Sequence, residues 1–153
     1  MFTEKSDIGA YVMVKGLGNV VAVTAGTTYD AAVQTSTVFD HTGYQSAVVG
    51  INYTATLTSS KTFNMGLVTV YSGLTSTDVT TVLATGLVSR TMTAAVTGES
   101  NALCFDVDLA GAKQFVKFEC TPDLTAAGTD TAVFGLFAVL GGASNLPTSK
   151  SIT

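Results

Sequence analysis

The chain contains a single histidine, His41, and an aspartate directly precedes it, so nucleophilic or acid–base chemistry would be sought at this pair. A Ser-His-Asp device needs a carboxylate that orients the ring from across the fold and a serine on an exposed, strained turn. The sequence has no Gly-x-Ser-x-Gly motif. Asp40 can instead accept a hydrogen bond from the backbone two residues further on, and Gly43 can adopt a positive φ. We therefore expect a turn over residues 40–44 and no catalytic residue within it.

Two carboxylates, Asp106 and Asp108, share one face of a predicted strand, which is a spacing that glycoside hydrolysis could use. Such an enzyme would also need an acid on a facing strand and a cleft lined with aromatic side chains, but the chain has no Trp. The pair is better explained as a solvated face, with Lys117 as a candidate ion-pair partner. One histidine and two cysteines on opposite faces cannot close a zinc site. The sequence thus predicts no enzyme and no catalytic, cofactor or metal site, with a hydrolase as the least favoured reading.

The residues between these groups favour β-structure. Only 12% of the chain is charged, and Thr and Val, which suit a half-buried strand, are abundant. The clearest strand is residues 46–58, where apolar and polar residues alternate. Strands are predicted at residues 19–24, 35–39, 46–58, 64–71, 82–96, 102–109, 115–121 and 131–140. Residues 77–84 are predicted as a loop that could hold one helical turn. Short strands at this spacing predict an all-β sandwich or barrel.

A chain of 153 residues fits one domain, which at this size buries roughly 70% of the surface of the unfolded chain. We expect an N-terminal arm at residues 1–17, a β-sandwich at residues 18–141 and a C-terminal tail at residues 142–153. Both ends lack a core-facing pattern, and such termini are frayed unless a partner holds them.

The charge distribution argues against nucleic acid and membrane partners. The net charge is −4, and the seven basic residues are scattered, whereas nucleic-acid affinity needs clustered Lys and Arg. The N-terminus has no signal-peptide layout. The longest apolar run, residues 132–140, is far short of the ~20 residues that a membrane helix needs. We expect a protein made in a cytoplasm.

The two cysteines, Cys104 and Cys120, are predicted to be free thiols. Cys104 shares its strand face with the two aspartates, while Cys120 lies on an apolar face. If residues 103–109 and 116–121 pair as a hairpin, a register that joins their apolar faces places the two sulfurs on opposite faces.

The last predicted strand, residues 133–140, is apolar on both faces. It must therefore be central with a covered outer side or lie at a subunit contact. We favour a contact, made by this strand or by the N-terminal arm. The candidate interface residues are Phe2, Tyr11, Val12, Val14, Phe134, Phe137 and Leu146.

The order of features over residues 35–147 resembles the cement, or decoration, proteins that stabilise the capsids of tailed bacteriophages. The features are the Asp-x-x-Gly-Tyr turn at 40–44, Gln45-Ser46 before a long alternating strand, Tyr71-Ser72-Gly73, strands around Phe105 and Phe118, Thr131 to Gly142, and Leu146-Pro147. The resemblance implies a jelly-roll-like antiparallel β-sandwich of about eight strands. It also implies a homotrimer on the outside of the virion that binds and bridges neighbouring major capsid proteins.

Two alternatives remain at this stage. The first is another virion component, either a tail protein or a main coat protein, although the thin basic content argues against a coat that packs nucleic acid. The second is a carbohydrate-binding or adhesin β-sandwich. A leader sequence, exposed aromatic residues or a calcium cluster would be expected in such a protein.

Overall fold

The computed structural model describes residues 12–18, 21–27, 29–58, 62–91, 95–124 and 130–143. These ranges contain eleven β-strands and no helix, so none of their segments is a helix that could cross a membrane. The strands are β1 (Met13–Gly16), β2 (Val21–Thr24), β3 (Gln34–Thr35), β4 (Phe39–Asp40), β5 (Ser46–Leu57), β6 (Thr62–Gly73), β7 (Thr81–Thr91), β8 (Val96–Asp108), β9 (Phe115–Cys120), β10 (Asp123–Leu124) and β11 (Thr131–Gly141). Residues 77–84, predicted as a loop that could hold one helical turn, contain a loop and the start of β7.

The strands form two antiparallel sheets packed as a sandwich. In the first sheet β11 and β5 are central, β8 forms one edge, and β1 and β2 both pair with the other side of β11. In the second sheet β6 pairs with β7 on one side and with β9 and β10 on the other. The short strands β3 and β4 pair with the far side of β9.

The strands pair from the ends of the chain inward. β1 and β2 pair with β11, β3 and β4 with β9, β5 with β8, and β6 with β7. This long antiparallel ribbon is rolled so that β5 also meets β11 and β6 also meets β9. A ribbon rolled in this way into two sheets is a jelly roll. The expected all-β, jelly-roll-like sandwich is therefore confirmed.

The core lies between the two sheets because each sheet presents its apolar face to the other. In β5 the alternate residues Val49 and Ile51 are fully buried, as the alternation in the sequence predicts. Aromatic rings join the sheets at the centre: the Tyr53 and Phe63 centroids are 5.0 Å apart, and Phe134 lies 6.4 Å from Phe63. Because these faces pack against each other, the opposite face of each strand points outward.

The expected hairpin between residues 103–109 and 116–121 does not form. β8 pairs with β5 in the first sheet and β9 pairs with β6 in the second, so the connection at residues 109–114 crosses between sheets. Cys104 is exposed, Cys120 is buried, and both are free thiols. The prediction of free thiols is confirmed, but for a different reason, since the two cysteines belong to different sheets.

The last part of the predicted N-terminal arm forms a strand. Residues 13–16 are β1 and pair with residues 137–140 of β11. Just after β1, the Leu17 amide donates to the Leu136 carbonyl oxygen at 2.9 Å. Met13 packs against the core, and Leu17 is buried within it. Residues 13–17 are thus part of the first sheet or directly attached to it.

Candidate functional site

His41 has a structural position. Its ring is buried, with Nδ1 3.1 Å from the Tyr44 carbonyl oxygen and Nε2 2.9 Å from the Lys113 carbonyl oxygen. Both ring nitrogens therefore face the backbone of the protein itself. This arrangement attaches the turn at residues 41–44 to the connection between β8 and β9, and it leaves neither nitrogen facing a substrate.

Asp40 organises the same turn. Its carboxylate accepts hydrogen bonds from the Thr42 amide at 2.8 Å and from the Gln114 side chain at 3.0 Å. Burial by itself would raise the pKa of Asp40, but the hydrogen bonds from Thr42 and Gln114 and the charge of His41 outweigh it. The pKa therefore lies below its ordinary value of 3.8. The turn predicted at residues 40–44 is confirmed.

Asp106 and Asp108 lie on the exposed face of the edge strand β8, as the alternation predicts. Lys117, the expected ion-pair partner, lies in the second sheet instead, where its Nζ is 3.2 Å from Oε1 of Glu119. The expectation for Lys117 is wrong because β8 and β9 are not neighbours. Across the described ranges, no three His, Cys, Asp or Glu side chains lie close enough together to hold a metal ion.

Neither thiol has the electrostatic surroundings of a nucleophile. Burial raises the pKa of Cys120 to about 12, so this thiol stays protonated. The pKa of Cys104 is also raised, first by partial burial and then by the negative charge of Asp106. A reactive cysteine needs the opposite shift, which cationic neighbours or a helix N-terminus provide.

The outward surface of the first sheet is called here the outer face. It carries a row of apolar side chains. Cross-strand pairing aligns Val14, Val139 and Val48, which we call the valine row, and Asp106 ends this row on β8. Val14 is 70% exposed. In the next row the Phe137 ring covers Gly50, since a Cβ atom on Gly50 would lie 3.1 Å from its Cζ. The outer face thus offers an apolar surface beside a carboxylate.

A shallow depression of about 570 Å³, called here the trough, opens at one end of the outer face. It exists because small residues adjoin the valine row: Gly141 and Ser46 are paired, and a Cβ atom on Gly141 would lie 3.2 Å from the Ser46 hydroxyl oxygen. Its lining comprises Val12, Ser46, Ala47, Val48, Asp106, Val107, Asp108, Val139 and Gly141.

The candidate interface residues fall into three groups. Phe134 is only 1% exposed and belongs to the core, so its assignment to a contact is corrected. Its face of β11 points inward because it packs against the second sheet, where the Phe134 ring lies 6.4 Å from the Phe63 ring. Val12, Val14 and Phe137 lie on the outer face or at its rim. Phe2, Tyr11 and Leu146 lie outside the described residues.

A second apolar spot lies on the outward surface of the other sheet, and the sequence reasoning missed it. Leu67 of β6 and Leu87 of β7 are directly opposite each other and are 53% and 81% exposed. The sequence signal was Gly66 within a strand pattern followed by two consecutive apolar residues, Leu67 and Val68, since an isolated Gly in a strand often marks a bulge. A bulge at Gly66 shifts the alternation there, and this shift turns Leu67 outward.

The strand order and the two-sheet architecture define a jelly-roll-type β-sandwich, a fold that viral capsid proteins use. No protein-family model matches this chain, and no curated protein matches it by sequence. Solved structures do match. A chain in the structure of infectious bursal disease virus, Gt strain, is 15% identical with a TM-score of 0.51 over 89% of this chain. The corresponding values for the Gx strain are 15%, 0.50 and 89%.

These matches cover only a part of the viral chains. This chain spans 33% of the length of each. At 15% identity the likeness concerns the fold alone, and that fold is a jelly-roll-type β-sandwich. The matches to these two structures do not test the resemblance to the cement proteins of tailed phages.

Proposed function

We propose that this chain is a structural virion protein that binds the outside of an assembled capsid and stabilises it by bridging neighbouring major capsid proteins. The observation that carries the proposal is the combination of a capsid-type jelly roll with the outward-facing apolar side chains of Val14, Val48, Val139 and Phe137. An exposed apolar patch flanked by polar groups is typical of a protein contact surface.

Such a role needs contact and no reaction. A protein that binds the assembled shell but not its free subunits stabilises the shell by mass action. If it forms trimers, each additional contact gains from a high effective concentration. The side chains of Asp40 and His41 are hydrogen-bonded to the backbone of the protein, which agrees with a role in contact and not in catalysis.

The same proposal covers partners and location. The partners are the major capsid protein and other copies of this chain, with a homotrimer as the expected assembly. Nucleic acid and membranes are not expected partners, because the net charge is −4 and the basic residues are scattered. The protein would be made in the host cytoplasm and end on the virion surface.

One alternative has a specific observation in its favour. The matching structures are themselves of a virus, and this chain corresponds to a third of their chains, so it could be a main coat subunit or one domain of a coat protein. A coat subunit should form closed shells by itself under assembly conditions. A cement protein should remain small and bind shells made by another protein.

The test mixes the purified protein with emptied capsids, sediments the capsids and measures their survival on heating. We expect co-sedimentation and shells that survive higher temperatures. Val14→Lys should weaken binding, whereas Val33→Lys, at a position that is 61% exposed and outside the outer face, should not. Light scattering on the free protein measures the oligomer. Absence of binding to any capsid, together with self-assembly into shells, would favour the coat alternative.

A further inference from the structure

The trough at the end of the outer face has the chemistry of a specific binding site. Its floor and one side are apolar, formed by Val48, Val139, Val12 and the small residue Gly141. Its other wall is β8, where Asp106 stands opposite Val48 and Asp108 stands opposite Ser46. An apolar depression with a few charged groups at one wall is the usual composition of a ligand site.

The two carboxylates are available to a partner. Asp108 accepts one hydrogen bond from the Ala110 amide at 2.9 Å, which uses one of its oxygens. No Lys or Arg within the described ranges forms an ion pair with Asp106 or Asp108. Both side chains are exposed. A cation placed over the trough would therefore meet two carboxylates that no described Lys side chain pairs with.

We propose that the trough binds an extended segment of the shell protein in which apolar side chains lie two residues before and two residues after a Lys or Arg, so that all three point to one face. The inference rests on the proposed function and names the contact through which it works. The apolar side chains occupy the space above Val48, Val139 and Gly141, and the cation lies beside Asp106 and Asp108. A volume of about 570 Å³ suits a few side chains and not a folded domain.

Charge complementarity selects this occupant over two others. A second copy of this chain carries a net charge of −4 and scattered basic residues, so it offers little to two carboxylates. The chain's own first eleven residues contain Glu4 and Asp7 against a single Lys5. Neither matches an acidic wall as well as a basic, apolar segment does. The chain's residues 144–153 contain no acid but offer only Lys150 to two carboxylates, and a peptide that binds more tightly after their deletion would assign the trough to them and overturn the inference.

The test compares Asp106→Asn/Asp108→Asn with a control of equal charge, Asp78→Asn/Asp123→Asn, whose two sites lie outside the outer face. Binding to emptied shells is measured at several salt concentrations. Each exposed ion pair contributes modestly, so the trough variant should bind about tenfold more weakly and lose part of its salt dependence. The control should bind like the natural chain.

A second measurement uses an acetylated and amidated peptide, Val-Thr-Lys-Thr-Val, whose Val and Lys side chains share one face when it is extended, titrated into the labelled protein and followed by NMR. We expect amide shifts at Val48, Asp106 and Val139 that the trough variant loses and the control keeps. Because the NMR spectrum also reports the fold of each variant, a loss of binding through unfolding would be seen directly.

The outcomes separate the two proposals. If the natural chain binds shells and the trough variant binds equally well, the trough assignment is wrong and the proposed function stands. If no shell is bound, the proposed function fails. The peptide titration then tests only whether the trough binds a basic, apolar segment. An oligomer that dissociates in the trough variant would assign the trough to a second copy and overturn the inference. Tighter peptide binding after deletion of residues 1–11 would assign it to the chain's own N-terminus, with the same consequence.

Discussion

Individual polar side chains in this protein mainly hold the backbone of its loops. Asp130, which is 2% exposed, accepts a hydrogen bond from the Thr58 amide at 3.0 Å. Asp30 accepts from the Gly26 amide at 2.7 Å and from the Leu124 amide at 2.9 Å. Buried backbone donors need such partners, and short carboxylates supply them at turns. Asp30 and Asp130 therefore lie next to strand ends, where their carboxylates hold the backbone of the adjoining loops.

The two thiols should differ sharply in reactivity. With iodoacetamide at mildly alkaline pH, Cys104 should react and Cys120 should react only after unfolding, because Cys120 is buried and its pKa is raised to about 12. Asp106→Asn should speed the reaction of Cys104, since the carboxylate is one of the two causes that raise its pKa. The gain should be a few-fold at most, because partial burial is the larger cause. Mass spectrometry over time gives both rates, and faster labelling of Cys120 would contradict the placement of the two thiols.

Asp40 should stabilise the fold in a pH-dependent way. Because the pKa of Asp40 is lowered in the folded state, its ionised form contributes stability above about pH 3.8, and this contribution is lost as the pH falls through the lowered pKa. Asp40→Asn should therefore be less stable than the natural chain near neutral pH. The gap should narrow in acid. Urea unfolding at several pH values measures the difference, in which the other carboxylates cancel, and a gap that does not change with pH would contradict this account.

At the scale of elements, β11 contributes both to the core and to the proposed contact surface. Its inward residues, including Phe134 and Leu140, fill the core, and its outward residues Phe137 and Val139 form the middle of the outer face. The sequence shows that the strand is apolar on both sides. It does not show which side belongs to the core, because that depends on β1, β2 and β5 as neighbours.

The bulge in β6 depends on glycine. Gly66 has a φ of 66°, and a Cβ atom there would lie 2.3 Å from the Thr121 carbonyl oxygen. Gly66→Ala should lower the free energy of unfolding by at least about 2 kcal/mol, through backbone strain and this clash. Gly111→Ala is the control, because its Cβ atom meets nothing within 4 Å. It should change stability by less than about 1 kcal/mol and toward greater stability. Thermal and urea unfolding measure both, and equal effects would contradict the bulge as a strained site.

The N-terminal segment can be divided by deletion at the start of β1. Removal of residues 1–11 leaves β1 whole and should lower the melting temperature less than removal of residues 1–15, which also deletes most of β1 and its pairing with β11. The longer deletion should lower the melting temperature by roughly 5 °C or more. If the segment acts as an arm, the shorter deletion should weaken shell binding without loss of stability. Unchanged binding by this folded variant would reject the arm.

At the scale of the whole molecule, the pairing of first strands with last makes the fold depend on its C-terminal strand. A chain that ends at residue 130 lacks β11 and therefore leaves β1, β2 and one side of β5 without partners. It should be unfolded, with no dispersed NMR spectrum and no cooperative melt. A chain that ends at residue 143 retains all eleven strands of the described ranges and should fold like the full chain. A folded product from the shorter chain would contradict the assigned strand order.

The sequence by itself determined the all-β class, the long strands, the turn at residues 40–44 and the inward and outward faces of strands such as β5, but it did not predict β1 or β10. These features follow from alternation and from local hydrogen bonding, so neighbouring residues are sufficient to define them. The exposure of Cys104 and the burial of Cys120 followed from the same alternation. The resemblance to capsid cement proteins supplied the jelly-roll expectation, which the strand order confirmed.

Only the tertiary structure decided which strands are partners. The sequence could not separate β8 from β9, because a short connection fits a hairpin and a crossing between sheets equally well, and the expectations for Lys117 and the hairpin were wrong for this reason. Partnering also decided that Phe134 is in the core, that three valines align across the outer face, and that two aspartates border a trough. A surface is made by residues far apart in the chain, and long-range pairing alone brings them together.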